Sequence, residues 1–156
     1  MKAGRQAIGL VGWLLISFAA AGIGSRFMPG PWYQSLAKPS WNPPAAVFGP
    51  VWTLLYILMG VSAWFVWKKD GFRGARLALS LFVGQLVLNA LWSYLFFGLQ
   101  RISAALADIL ALWILILVVT VLFWRKVRAA GALMIPYLAW VGFASALNFT
   151  LWRMNR

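Results

Sequence analysis

Charged residues in this chain come in short groups separated by long uncharged windows. Residues 6–25, 39–67, 77–100 and 129–152 contain none, and 102–124 contain only Asp108. A helix needs about 20 mainly apolar residues to cross a bilayer, at about 1.5 Å rise per residue. The pattern predicts five spanning helices, over about 7–28, 46–67, 77–98, 103–124 and 130–152, in a single domain covering 1–156. In lipid, each helix satisfies its own backbone polar groups, so the expected fold class is all-α integral membrane, a five-transmembrane-helix bundle.

One connector stands apart. Residues 32–52 read WYQSLAKPSWNPPAAVFGPVW, with Trp32, Tyr33, Trp41 and Trp52 and prolines at 39, 43, 44 and 50. Proline fixes φ and lacks a backbone donor, so Pro39, Pro43 and Pro44 cannot lie inside a regular helix without breaking it. An inert link would be short and polar. The rigid aromatic segment over 29–45 is expected to be a lid over a ligand site.

Helical spacing sorts the inner residues. Phe48, Trp52, Tyr56 and Met59 share a face of the second span. Gln85, Asn89, Trp92, Ser93 and Phe96 share a face of the third, and Tyr137, Trp140, Ala144, Leu147 and Asn148 of the fifth. Residues three and four apart lie on one side of a helix. Gln85 and Asn89 matter most, because an amide in hydrocarbon is costly unless bonded and must face inward. Two readings stand: a hydrogen bond between helices, or a polar handle in an aromatic pocket.

Trp13, Trp64, Trp67, Trp124 and Trp152 fall near predicted helix ends, where indoles favour the headgroup level. Trp52, Trp92 and Trp140 fall deeper. Asp108 is the sole acid within a span, open to a functional role or to complementing a helix N-terminus. Pro136 allows a kink beside Tyr137 and Trp140. Ala20 with Gly24, and Ser80 with Gly84, have the spacing of close helix contacts, within a monomer or across a dimer. No internal repeat supports an inverted-repeat transporter.

Composition narrows the chemistry. The chain is 63% hydrophobic, with mean hydropathy +0.83 and 10% charged residues, against about 25% charged in soluble domains. It has no Cys and no His, which removes disulfides, thiol and imidazole catalysis, zinc patterns and the usual haem ligands. No nucleophile–base pair is visible, and no cofactor is expected. The net charge of +12 lies between apolar spans, which points to anionic lipid headgroups and away from nucleic acid.

Lys2 and Arg5 precede an apolar run and Ala19-Ala20-Ala21, a pattern near that of a secretory signal. The run exceeds the about 7–15 residues of a signal core, so a retained first helix is expected. Lys2, Arg5, Lys68, Lys69, Arg73, Arg76, Arg125, Lys126 and Arg128 fall on one side, nine against the five of Arg26, Lys38, Arg101, Arg153 and Arg156. The positive-inside rule then puts the N-terminus in the cytoplasm and the lid outside. Arg26 and Lys38 flank the lid, placed to pair with ligand carboxylates.

Taken in order, Trp32-Tyr33, Leu36, Lys38-Pro39, Trp41-Asn42-Pro43-Pro44, Phe48, Trp52, Leu55-Tyr56 and Met59 resemble the translocator protein family, also called tryptophan-rich sensory proteins (TspO/MBR) or peripheral-type benzodiazepine receptors. The likeness continues through Gln85, Asn89, Trp92, Asp108, Pro136-Tyr137-Leu138, Trp140 and Leu147-Asn148, nearly the whole chain. It implies a bacterial-type member in the cytoplasmic (inner) membrane, a homodimer, and a pocket open toward the lid. The implied ligands are porphyrins such as protoporphyrin IX, sterols, and synthetic isoquinoline carboxamides or benzodiazepines. Carried over, the pocket residues are Trp32, Tyr33, Trp41, Phe48, Trp52, Gln85, Asn89, Trp140, Phe143, Ala144 and Leu147. Some bacterial members are associated with light-dependent porphyrin degradation, which would make Trp52 and Trp140 the reactive residues. The cholesterol motif of animal members is absent, since no Lys or Arg follows Tyr137 before Arg153.

Three functions compete: a tetrapyrrole receptor or carrier, a photo-oxidising enzyme, and an assembly subunit whose aromatic face is packing. The absence of His favours a metal-free porphyrin over haem.

Overall fold

The computed structural model describes residues 2–156. Five long helices, each apolar enough to cross a membrane, make this a multi-pass membrane protein. They are α1 (Ala3–Gly24), α3 (Ala45–Gly74), α4 (Arg76–Ser93, continued by a π-helical turn Tyr94–Gly98), α5 (Ile102–Lys126) and α6 (Arg128–Met154). A short helix, α2 (Pro31–Ser35), lies in the lid, and no strand occurs among the described residues. The shortest unbroken span, α1 at 22 residues, reaches about 33 Å at 1.5 Å per residue, enough for a hydrocarbon core of about 30 Å.

The boundaries depart from the sequence expectation in instructive ways. The helix α1 begins at Ala3 and ends at Gly24, four residues early at each end of 7–28, with Ser25 Oγ donating to the Gly22 carbonyl (2.8 Å) as the helix closes. Helix α3 runs on through Lys68, Lys69 and Asp70 to Gly74, because charge ends an apolar window without ending a helix. Gly71 alone inside it is non-helical, at φ 65, a region costly for residues with a Cβ. The lid is not wholly irregular: Pro31 opens α2, at the helix position where its missing N–H costs least. Pro39, Pro43 and Pro44 lie outside helices. Helix α6 runs unbroken through Pro136.

Helix α5 packs between α4 and α6, while α1 lies on α3 and α4, and α3 also meets α6. Lipid tails are as apolar as leucine, so contact quality rather than hydrophobicity holds such helices together. The dense core occupies one half of the bundle: Met59, Ala63 and Val66 of α3, Leu79 and Phe82 of α4, Ile116, Val119 and Phe123 of α5, and Met134 and Tyr137 of α6 are all fully buried. Phe82 stacks on Phe123 with ring centroids 5.7 Å apart, and Ser62 Oγ donates to the Ala130 carbonyl (2.7 Å), tying α3 to α6. Large side chains such as Ile8, Leu15, Leu77, Val87 and Ile114 point outward, where lipid replaces water.

Trp13 corrects its expected place in an interfacial belt: it is buried and meets Phe82 edge-on at 5.9 Å. Trp64 is half-buried and donates Nε1–H to the Gln6 carbonyl (2.9 Å). Ala20 is buried and Gly24 faces Ser93, so that small pair serves packing within the monomer.

At the packed end, the single residue Val127 links α5 to α6. A Cβ on Gly131 would lie 2.6 Å from the Trp124 Cα, a backbone atom that cannot swing aside. Gly131→Ala is therefore expected to destabilise the bundle by about 2 kcal/mol, as overpacking does. A thermal melt in detergent reads this, and an unchanged melting temperature would contradict the packing described.

Candidate functional site

The other half of the bundle is hollow. Beneath the lid lies a cavity of about 1100 Å³, bounded by α1, the lid, α3, α4, α5 and α6. That is slightly above the about 300–1,000 Å³ of small-molecule sites. Its wall is mainly aromatic: Phe18 from α1, Tyr33 from the lid, Phe48, Trp52 and Tyr56 from α3, Trp92, Phe96 and Phe97 from α4 and its π turn, and Trp140 from α6.

The π turn shapes one side. A π turn inserts an extra residue into the helical ladder and rotates the residues beyond it, often at functional sites. Trp92 stacks on Phe96 at 5.0 Å, and Phe97 meets Phe96 at 4.9 Å. Trp32 and Tyr33 of α2 sit edge-on against Phe96, at 5.7 and 6.2 Å. The lid thus rests on an aromatic pedestal. On the opposite side, Phe48 meets Trp140 at 5.9 Å and Trp52 meets Tyr56 at 5.7 Å.

The floor is a polar relay. Tyr56 Oη–H donates to Asn89 Oδ1 (2.5 Å), and Asn89 Nδ2–H donates to Tyr137 Oη (3.0 Å). Tyr137 Oη–H donates in turn to Gln85 Oε1 (2.7 Å), and Gln85 Nε2 points at Met59 Sδ (3.6 Å). The relay ties α3, α4 and α6 where the core gives way to the cavity. Higher up, Trp92 Nε1–H donates to Asn148 Oδ1 (2.9 Å), and Asn148 Nδ2–H to the Ile102 carbonyl (3.1 Å).

Seven of the eleven expected pocket residues line the cavity: Tyr33, Phe48, Trp52, Asn89, Trp140, Ala144 and Leu147. The other four do not. Gln85 lies below the floor, fully buried and used in the relay. Trp32 is turned onto Phe96. Trp41 is 47% exposed and packs on Phe143 at 5.8 Å, which faces outward three residues beyond Trp140. Positions four and seven beyond Trp140, Ala144 and Leu147, stay on the wall instead.

Tyr56, Trp92 and Asn148 also line the cavity, and the helical spacing that groups them with Trp52, Asn89 and Trp140 already carries that signal. Phe18 has no such signal, because α1 is apolar on every side. Lys38 is the one charged residue in the lining; its Nζ donates to the Gln34 and Leu36 carbonyls (3.2 and 3.1 Å) and lies 4.7 Å from the Tyr33 ring centre. Arg26 is outside the lining. Trp140 Nε1–H is buried without an acceptor. Asp108, seventh residue of α5, is buried with Oδ2 unpaired, and is also outside the lining.

The wall therefore offers mainly ring faces, a few amides and one cation, Lys38. It suits binding of a flat apolar molecule with a few polar edges.

The sequence profile of the TspO/MBR family matches residues 9–153. The chain is 45% identical to the tryptophan-rich protein TspO of Chlorobaculum tepidum over 91% of its own length and 90% of that protein. It is 41% identical to the human translocator protein, over 93% of this chain and 89% of the other. To the tryptophan-rich sensory protein of Cereibacter sphaeroides it is 39% identical, over 88% and 85%. With a match spanning nearly all five long helices and the lid, this chain belongs to the TspO/MBR family.

Proposed function

We propose that this protein is a membrane receptor or carrier for tetrapyrroles, binding protoporphyrin IX or a similar flat hydrophobic ligand beneath the lid. The observation that carries this reading is the aromatic cavity of about 1100 Å³ with a single cation in its lining. A macrocycle has two broad apolar faces for Trp52 and Trp140 and carboxylate edges for Lys38. Sterols and isoquinoline carboxamides or benzodiazepines offer similar apolar bulk and belong to the same reading, as does pairing of two copies into a homodimer.

A second reading is favoured by one observation: Trp52 and Trp140 both stand in the cavity wall, from different helices. Light absorbed by a bound porphyrin would then act beside two oxidisable indoles, and the protein would be a photochemical degrader.

The charge distribution supports one orientation. The ends of α3 and α5 lie together, since Lys126 Nζ pairs with Asp70 Oδ2 (2.6 Å) and Lys69 donates to the Lys126 carbonyl. The nine-cation side contains these ends, so it faces the cytoplasm of a bacterial inner membrane and the lid faces out.

The test is titration with protoporphyrin IX in nanodiscs, in the dark, followed by illumination. Saturable quenching of protein fluorescence with stable porphyrin absorbance in light supports a receptor or carrier. Absorbance lost in light only with the protein present supports the degrader. Quenching that never saturates overturns both.

A further inference from the structure

The lid touches the bundle mostly through rings, which give weak directionality. Among the described residues, the only hydrogen bonds joining 28–43 to one of the five long helices or its cap involve one side chain, Asn155. Its Oδ1 accepts the Ala37 N–H (2.9 Å), and its Nδ2 donates to the Ala37 carbonyl (2.9 Å). The same Nδ2 donates to the Leu151 carbonyl (2.8 Å), the last turn of α6. Both amide protons are thereby spent, and the amide has one orientation: reversed, its oxygen would face two carbonyl oxygens. The side chain pairs with Ala37 as a neighbouring strand would.

We propose that Asn155 is a positioning residue, a latch that holds the lid closed and sets how fast ligand enters and leaves the cavity. The proposal rests on the ligand-binding reading above for its functional half. Position supports it. Ala37 precedes Lys38, the charged residue of the lining. From there to the start of α3 at Ala45, the chain carries Pro39, Pro43 and Pro44, which stiffen it. A stiff arm pinned near one end moves as a unit when the pin is released. Close to the pin, Tyr33 and Lys38 face the cavity; losing the pin frees the lid segment that carries them while every side chain of the helical wall, Leu151 included, is kept.

The experiment compares wild type, Asn155→Ala, Asn155→Asp and Thr150→Ala in nanodiscs. Asn155→Asp keeps an acceptor for the Ala37 N–H but sets a carboxylate against two carbonyls. Thr150 bonds only within α6, to the Ala146 carbonyl (2.9 Å), and serves as the control. Hydrogen exchange of the lid peptide without ligand is expected to quicken about tenfold at Ala37 in both Asn155 variants, and to hold in Thr150→Ala. Stopped-flow mixing with protoporphyrin IX is expected to show entry and release both about fivefold faster, with the dissociation constant changed less. Unchanged exchange in Asn155→Ala overturns the latch. Faster exchange with unchanged entry and release overturns its control of access. If wild type itself binds no porphyrin, the ligand reading fails, and exchange alone decides whether Asn155 fastens the lid.

Discussion

Replacing Trp52 with alanine is expected to weaken protoporphyrin IX binding about thirtyfold. The indole forms part of the wall on α3, with its outer face open to the cavity and its inner side against Tyr56 and Tyr137, at 5.7 and 6.2 Å. Truncation removes one stacking surface from a desolvated site. Such anchors cost about 2 kcal/mol or more on truncation, and about 1.4 kcal/mol is tenfold in affinity. The fold loses less, because the missing ring widens an existing hollow rather than opening a new one; two aromatic contacts are worth about 0.5–1.5 kcal/mol each. Porphyrin emission, titrated in the dark, reads the affinity. Trp124→Ala is the comparison, since Trp124 is 45% exposed on the outer surface of α5 and should leave binding untouched. Equal affinities for wild type and Trp52→Ala would remove Trp52 from the site.

The second large effect falls on stability. Tyr137 is fully buried, and its hydroxyl is the centre of the relay, donating to Gln85 Oε1 and accepting from Asn89 Nδ2. Tyr137→Phe deletes one oxygen and leaves an acceptor and a donor unpaired in a dry interior. Each such orphan costs about 1–3 kcal/mol. Interhelical hydrogen bonds measured in membranes average about 0.6 kcal/mol, since the unfolded state in lipid also finds partners. The expected net loss is about 2 kcal/mol, or about 4–8 °C in melting temperature for a chain of this size. Adding Gln85→Met to Tyr137→Phe removes one orphan and should recover part of the loss. The coupling between the two sites, read by a double-mutant cycle, is expected to be about 1 kcal/mol. Strict additivity would mean that the Tyr137–Gln85 bond contributes nothing.

The same relay explains what the sequence could disclose. Period and charge suffice to find five spans, because lipid forces apolar helices and little else. Spacing also turns Gln85 and Asn89 inward. It does not say which of them meets the cavity, because an inward face spans both the packed half and the hollow half of the bundle. Asn89 lies at the boundary and Gln85 four residues deeper, where the side chains of Met59 and Tyr137 close over it. Trp41 and Phe143 miss the wall for a related reason: an aromatic residue near a site is not always part of its lining, and these two pair with each other at the rim. The π turn at Tyr94–Gly98 has no residue signature, since YLFFG would extend an α-helix equally well. Asn155 gives no sequence signal because its partner, Ala37, lies 118 residues away and contributes only backbone. The lid as a feature is legible from its prolines, which exclude helix; the short α2 is not, at five residues.

The burial of Asp108 has no such explanation. Its Oδ2 is buried without a partner, and position seven of α5 places it beyond the first turn, so complementing the helix N-terminus does not account for it.

The central claim is that ligand occupies the aromatic hollow between α3 and α6. The measurement that tests it most directly is a structure of the protein in nanodiscs with protoporphyrin IX, prepared in the dark. The expected result is the macrocycle between Trp52 and Trp140, beneath the lid, with a carboxylate within about 4 Å of Lys38 Nζ, ion-pair distance. A macrocycle seated only on the lipid-facing surface, with the cavity empty, would contradict it.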